Sequence, residues 1–310
     1  MQWKFKTKQV PTNLQELEQI LLKNRDLKDG ADFFKPTPPA KLSLAAVGLD
    51  KDEVVAAVAR IKTAIKEQEK IVVFGDYDAD GVCATAILWQ TLHDMGAKVM
   101  PFIPHRERHG YGLSNAALDE LLVEHEPDLV ITVDNGIVAH QPAQVLQKKG
   151  VDLIITDHHQ PEKKLPVAKA IVQTDQLCGA SVAWMLAQEL RPKSARQMLD
   201  LTAIATVADQ VPLRKANRSF AYHGLQALRQ SKRPGLKALL KQARYKQAEL
   251  NAQNIGYGLA PRINAMGRLK HSLDALRLLL TTSPKRAQQL ALKLGQTNSQ
   301  RQDLTYEMYG

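Results

Sequence analysis

Five short apolar runs separated by helical stretches constrain this chain more than any other feature. Ile71–Phe74, Lys98–Ile103, Leu129–Val133, Asp152–Thr156 and Lys169–Gln173 read as strands. Several are apolar almost throughout rather than alternating, which marks strands covered on both faces. Helical spacing at about Val82–Met95, Asn115–Glu124 and Val138–Lys148 lies between them. This alternation predicts an α/β fold: a mostly parallel five-stranded sheet with helices on both faces. Beyond Gly179 the pattern is almost wholly helical, with apolar spacing at Asp274–Leu280 and Lys285–Gln296, and it runs as a helix to Gly310. A largely helical C-terminal portion follows from it. Ahead of the sheet, Leu14, Leu17, Ile20 and Leu21 suggest a short helix, and Val54, Val55, Val58, Ile61 and Ile65 a second one. Phe33–Lys41, with Pro36, Pro38 and Pro39, is expected to be extended or turn-like.

Open parallel sheets bind ligands at the carboxyl ends of their strands. Asp76, Asp78 and Asp80 follow the first strand, Asp134 the third, and Asp157-His158-His159 the fourth. Asp209 sits where a helix is expected to end. A lone Asp after a strand is usually a cap or turn residue. Three carboxylates within five residues are different, because they repel one another unless a cation neutralises them. A neighbouring His pair adds imidazole ligands, and a carboxylate-rich set favours Mn²⁺ or Mg²⁺ over Zn²⁺. Gly81 permits the turn after the first strand, and its amide is placed to face an anion.

The chain has 310 residues, 44% hydrophobic and 24% charged, as expected of a globular protein. No apolar run approaches the roughly 20 residues of a membrane span, and the first residues lack the apolar stretch of a secretory signal. Cys83 and Cys178 match no zinc spacing and read as small buried residues; a reduced, cytoplasmic setting fits. Net charge is +10. Ten basic residues between Leu213 and Ala248, from Arg214 to Lys246, have no Asp or Glu among them. That stretch reads as a surface facing a polyanion, against the plainer reading of a soluble basic helix pair. Trp89 and Trp184 read as core, and His93, His125 and His140 as surface or packing residues.

Val73-Phe74-Gly75-Asp76-Tyr77-Asp78-Ala79-Asp80-Gly81, Asp134-Asn135-Gly136, Thr156-Asp157-His158-His159 and Thr206–Leu213 resemble, in order, the four motifs of the DHH phosphoesterase superfamily. Leu177–Ala183 and Leu259–Leu269 resemble stretches typical of its RecJ-type branch. The resemblance runs from about residue 50 to 285. It implies a metal-dependent 5′→3′ exonuclease that releases 5′-mononucleotides from single-stranded DNA in repair and recombination. It also implies two ions, Mn²⁺ or Mg²⁺, on Asp76, Asp78, Asp80, Asp134, His158 and Asp209, with Asp134 bridging. Asp157 and His159 would serve catalysis, His159 by orienting His158 or touching phosphate. The branch further implies single-strand-binding protein and a helicase as partners, and a monomer.

Arg106 and the group Arg262, Asn264 and Arg268 suit phosphate contact, because a guanidinium donates two parallel hydrogen bonds; a surface salt bridge is the plainer reading of each. Tyr111 and Tyr257 would stack on unpaired bases or simply pack. The expected division is an N-terminal extension over 1–50, a catalytic domain over 51–284 with its basic helical part from about 213, and a connecting helix starting at 285–310, with the branch's second domain absent. Two alternatives remain: a small-substrate member of the superfamily, acting on short oligonucleotides, cyclic dinucleotides or pyrophosphate, and a non-catalytic single-strand-binding scaffold. Pyrophosphatases of the superfamily place a His shortly before the first Asp pair, where Phe74 and Gly75 stand here. A dinucleotide-binding reading fails for want of G-x-G-x-x-G after the first strand.

Overall fold

A computed structural model describes residues 4, 6–27 and 30–309. Gly310 and the first three residues lie outside the described set. Five parallel strands form one sheet in the order β2-β1-β3-β4-β5: β1 (Lys70–Phe74), β2 (Lys98–Phe102), β3 (Leu129–Val133), β4 (Asp152–Asp157) and β5 (Ala170–Gln173). Each is within one or two residues of its sequence-based span. Phe74 pairs with Thr132, and Val133 with Thr156.

Twelve of the helices are labelled here. Helices α1 (Leu14–Lys23) and α2 (Lys51–Lys66) precede the sheet. Between strands lie α3 (Ala79–Asp94), α4 (Asn115–His125) and α5 (His140–Lys148). After the sheet come α6 (Gly179–Leu190), α7 (Leu199–Ala208), α8 (Lys215–Gln230), α9 (Pro234–Gln242), α10 (Ala260–Leu269), α11 (Leu273–Leu280) and α12 (Pro284–Tyr309). Side-chain alternation along the strands splits the core in two. Ile71, Val73, Ile131 and Ile154 face a large cluster built from α2, α3, α6 and the C-terminal helices. Val72, Phe74, Val130 and Ile155 face a smaller one, with Leu118 and Leu121 of α4 and Leu146 of α5. Both faces are therefore covered, and no helix among the described residues is long and apolar enough to cross a membrane.

Three local expectations need correction. Helix α3 starts at Ala79, three residues early, because Asp78 caps it by accepting from the Gly81 amide at 3.0 Å. Val55 is 55% exposed; the buried stripe of α2 is Val54, Ala57, Ile61 and Ala64. The Pro-rich segment contains helical turns at Ala31–Phe34 and Pro39–Lys41, the latter opened by a proline whose fixed φ suits a first helical position. This segment docks on α8. The Arg218 guanidinium lies over the Phe33 ring and donates to the Phe33 carbonyl, Ser219 donates to the Thr37 carbonyl, and His223 Nε2 meets the Pro36 carbonyl at 2.8 Å.

Candidate metal centre

The strand order puts the site where it is. From β1 the chain first moves outward to β2, then returns across β1 to β3. The crevice between β1 and β3 is the point at which the direction of winding reverses, and ligands bind at such points. Asp76 and Asp134 stand directly past those two strands. Asp134 continues the ladder, its amide donating to the Thr156 carbonyl at 3.0 Å, and it takes a left-handed backbone with φ 63°. Asp tolerates that region better than most residues, and such strain collects at functional sites.

The six residues expected to hold metal come together. Asp80, His158 and Asp209 place one ligand atom each within 4.8 Å of one another, and so do Asp76, Asp78 and Asp134. These trios share no member and together account for all six. Asp134, His158 and His159 form a third trio. His158 Nε2 lies 3.1 Å from Asp134 Oδ1 and 3.8 Å from Asp80 Oδ2, and its Nδ1 lies 3.8 Å from Asp209.

Backbone amides hold Asp80. The N-terminus of α6 delivers the Gly179 and Ala180 amides to its two oxygens, each at 2.7 Å. Gly179 is required by proximity, since a Cβ there would lie 2.3 Å from Asp134 Oδ1. Gly81 is equally constrained: a Cβ would fall 2.6 Å from that of Asp76. Its amide donates to the Asp78 carboxylate at 3.0 Å.

Electrostatics calls for a cation. Burial, with neighbouring Asp78, pushes the Asp76 carboxyl up to about 7. Burial, with Asp209 and Asp78, pushes Asp80 up to about 8 despite its two amide donors. Asp209 rises to about 6 for the same reasons, burial and then Asp78. Asp134 is driven upward as well, by burial and then Asp80. Asp76 Oδ1 and Asp134 Oδ1 are buried without a hydrogen-bond partner. A carboxylate-rich, desolvated set with orphaned oxygens fits hard divalent ions.

Asp157 differs from the others. Its Oδ2 accepts from the Ile137 amide at 2.9 Å, and its Oδ1 accepts from the His158 and His159 amides and meets His159 Nδ1 at 2.7 Å. Burial works to raise this carboxyl, but the His159 contact and the amides hold it below its ordinary value. Its oxygens are filled by protein donors, the His159 ring among them. The Asp157 hydrogen bond in turn raises the His159 imidazole, against its desolvation. His158 is lowered by burial and by His159, as suits a neutral ligand. His159 Nε2 meets the Tyr111 hydroxyl at 2.9 Å.

The expected DNA contacts divide. Arg106 is exposed and lies 5.4 Å from the centre of the Tyr77 ring, which makes a T-shaped pair with Tyr111. Arg268 is exposed, and Tyr257 is 79% exposed. Arg262 is turned inward: Nη1 donates to the Gly258 carbonyl at 2.7 Å, and Nε is buried without a partner. Asn264 Oδ1 accepts from the Ala79 amide at 2.7 Å and so ties α10 to the start of α3. Sequence reading missed the amides of Gly179 and Ala180 and the aromatic rim residue Tyr77. A glycine opening a helix after Cys178 was the available signal for the former; Tyr77 carried none beyond its place among the aspartates.

A family model described as "DHH family, N-terminal domain" matches residues 70–206. The chain is 42% identical over 302 residues to the single-stranded-DNA-specific exonuclease RecJ of Bacillus subtilis, covering 94% of this chain and 36% of that protein. A crystal structure of exonuclease RecJ bound to manganese superposes with a TM-score of 0.78 at 37% identity, covering 86% of this chain and 70% of that one. RecJ of Thermus thermophilus in complex with Mn²⁺ superposes with a TM-score of 0.78 at 34% identity, over 93% of this chain and 42% of that one. The chain spans between 36% and 58% of the length of the curated relatives it matches. Motif order, parallel sheet and convergent carboxylates agree with these similarities, and the chain belongs to the RecJ family of DHH proteins.

Proposed function

We propose that this chain is the catalytic part of a metal-dependent exonuclease that hydrolyses single-stranded DNA from the 5′ end to 5′-mononucleotides, in repair and recombination in the cytoplasm. The observation that carries the reading is the pair of ligand trios with orphaned buried oxygens at the sheet's switch point. Asp76, Asp78, Asp134 and Asp80, His158, Asp209 would hold two ions, Mn²⁺ or Mg²⁺, as the manganese-bound relatives favour. When bound, such ions activate water and neutralise charge on the phosphate under attack.

The chain's own residues do the rest. The α6 amides fix Asp80, and Asp134, a member of one trio, lies 3.1 Å from His158 of the other. Asp157 locks the His159 ring so that Nε2 faces the crevice; its raised affinity for a proton suits donation to a phosphate oxygen. Exposed Arg106 and Arg268 are placed for backbone phosphates. Residues 51–284 are read as the catalytic unit.

The test offers the protein, with Mn²⁺, long single-stranded DNA, duplex DNA, a dinucleotide and pyrophosphate in parallel. Release of mononucleotides from the single strand is expected to dominate. Preference for the dinucleotide or pyrophosphate would replace the reading with a small-substrate one, and binding without turnover would replace it with a scaffold.

A further inference from the structure

At the free β2 edge of the sheet lies a groove of about 660 Å³. Strand β2, Trp89 of α3 and the end of α4 form one side, and α11 with the first turn of α12 forms the other. It contains none of the clustered metal residues. Met100 stands 53% exposed on this outermost strand, with Trp89 and Leu280 nearby in the lining. An open apolar groove beside an unpaired strand marks a place where another chain binds.

The backbone excludes one mode of binding. Strand β2 pairs only with β1. Its Phe102 carbonyl accepts from the Gly75 amide, just past β1, so Val99 and Pro101 turn their backbone groups outward. The Val99 carbonyl is taken by the Trp89 indole at 3.2 Å, and Pro101 has no N–H. An added strand finds no ladder along such an edge, so an occupant is held through side chains.

Charge decides what that occupant carries. The two acids of the groove are paired within the protein. Glu120 Oε2 lies 3.0 Å from His109 Nε2 and 3.5 Å from Arg108, and Glu124 lies 3.8 Å from His125. On the opposite wall cations are in excess. Arg277 shares the single carboxylate of Asp274 with Lys293. Arg286 is exposed and in no ion pair among the described residues. The N-terminal turn of α12, where Arg286 lies, adds the positive end of a helix. Burial, then neighbouring His105 and Arg108, lower the His271 imidazole on this wall. Apolar surface beside uncompensated cations is complementary to a segment that carries both apolar side chains and carboxylates.

We propose that this groove docks a short acidic and apolar segment of a partner protein, its apolar side chains covering Trp89, Met100 and Leu280 and its carboxylates meeting Arg286 and Arg277. The proposal stands apart from the exonuclease reading, because peptide binding is read without turnover.

The test pans short random peptides displayed on phage against the immobilised full chain. Excess oligo(dT) and EDTA are present, so that any nucleic-acid path is covered and the DNA stays intact. The selected sequences are expected to join large apolar residues to Asp or Glu. Synthesised with a fluorophore and titrated by anisotropy, they should bind Arg286→Glu and Met100→Glu at least about tenfold more weakly than wild type. Lys148→Glu, on α5, should bind them as wild type does. Both groove positions are exposed; thermal melting checks that the variants fold, and Arg286→Glu decides alone if Met100→Glu melts early. Mononucleotide release from single-stranded DNA should be the same in Arg286→Glu as in wild type. Failure to select any peptide overturns the proposal, as does a basic or uncharged consensus, or equal affinity for wild type and Arg286→Glu. Loss of DNA hydrolysis in Arg286→Glu would give the wall to nucleic acid and overturn it too.

Discussion

Two charged regions of this molecule look alike on paper and behave differently in space. The acidic and imidazole residues at the strand ends converge within a few ångströms. The acid-free basic stretch from Arg214 to Lys246 does not act as one surface. Arg218 grips the N-terminal segment through Phe33. Arg229 donates twice to the Leu250 carbonyl, at 2.8 and 2.6 Å. Arg233 meets buried Asp200 at 3.1 Å and reaches the Leu279 and Gln197 carbonyls. Arg214, Lys215, Lys232, Lys237, Lys241, Arg244 and Lys246 remain exposed. Strand ends in a parallel sheet are side by side, so residues just past them must meet. Residues along a helix fan out by about 100° each, so a run of one charge spreads over buried and exposed faces alike.

The comparison breaks most directly at Asp134. Asp134→Asn keeps a residue that accepts the left-handed backbone but removes a charge from the centre. Mn²⁺-dependent mononucleotide release should fall by at least about 10²-fold, while the metal-free protein melts no lower than wild type. Undiminished turnover would detach the carboxylate cluster from the chemistry.

The basic stretch supplies the next contrast. Arg233→Ala leaves Asp200 buried with only Ser231 and the Leu201 amide as partners. It should cost about 3 kcal/mol in denaturant unfolding, with an unchanged salt dependence of DNA binding. Lys237→Ala with Lys241→Ala, on the outer side of α9, should leave stability within about 0.5 kcal/mol and lower the salt slope by about two. Equal stability losses in the two variants would mean the stretch is not divided as described.

The smallest effect is read from pH. In the metal-free protein Asp76, Asp80 and Asp209 have folded values near 7, 8 and 6, above their ordinary carboxylate range. A raised folded value means that the folded state binds the proton more tightly. The stability this provides is complete below pH of about 4 and is lost as pH rises through 6 to 8. Metal binding requires the deprotonated form. The rise in Tm on adding Mn²⁺ should therefore be larger at pH 8 than at pH 5.5; an equal or reversed rise would show that these carboxyls are not the ligands.

Most of the sheet was legible because five apolar runs of strand length, separated by helical periods, admit few arrangements. Five of the six clustered residues were legible because they closely follow those runs; Asp209, at a helix end, was legible through the family resemblance. Single residues on helices were less legible. Arg262 and Asn264 lie two apart in a run that resembles a substrate motif; Arg262 bonds the Gly258 carbonyl just ahead of α10, and Asn264 caps α3. Val55 fitted an apolar period but lies a step off the buried stripe of α2.

By itself the sequence determined the strand–helix alternation and a mostly parallel sheet, through local hydrophobic period, and, through strand-end position and the family resemblance, the six residues that the structure brings together. Tertiary structure alone decided which charges are spent on scaffolding, that the α6 amides hold Asp80, and that Asp157 is saturated by protein donors. Those depend on which groups distant in the chain meet away from water, and a hydrogen bond between residues a hundred positions apart leaves no local pattern to read.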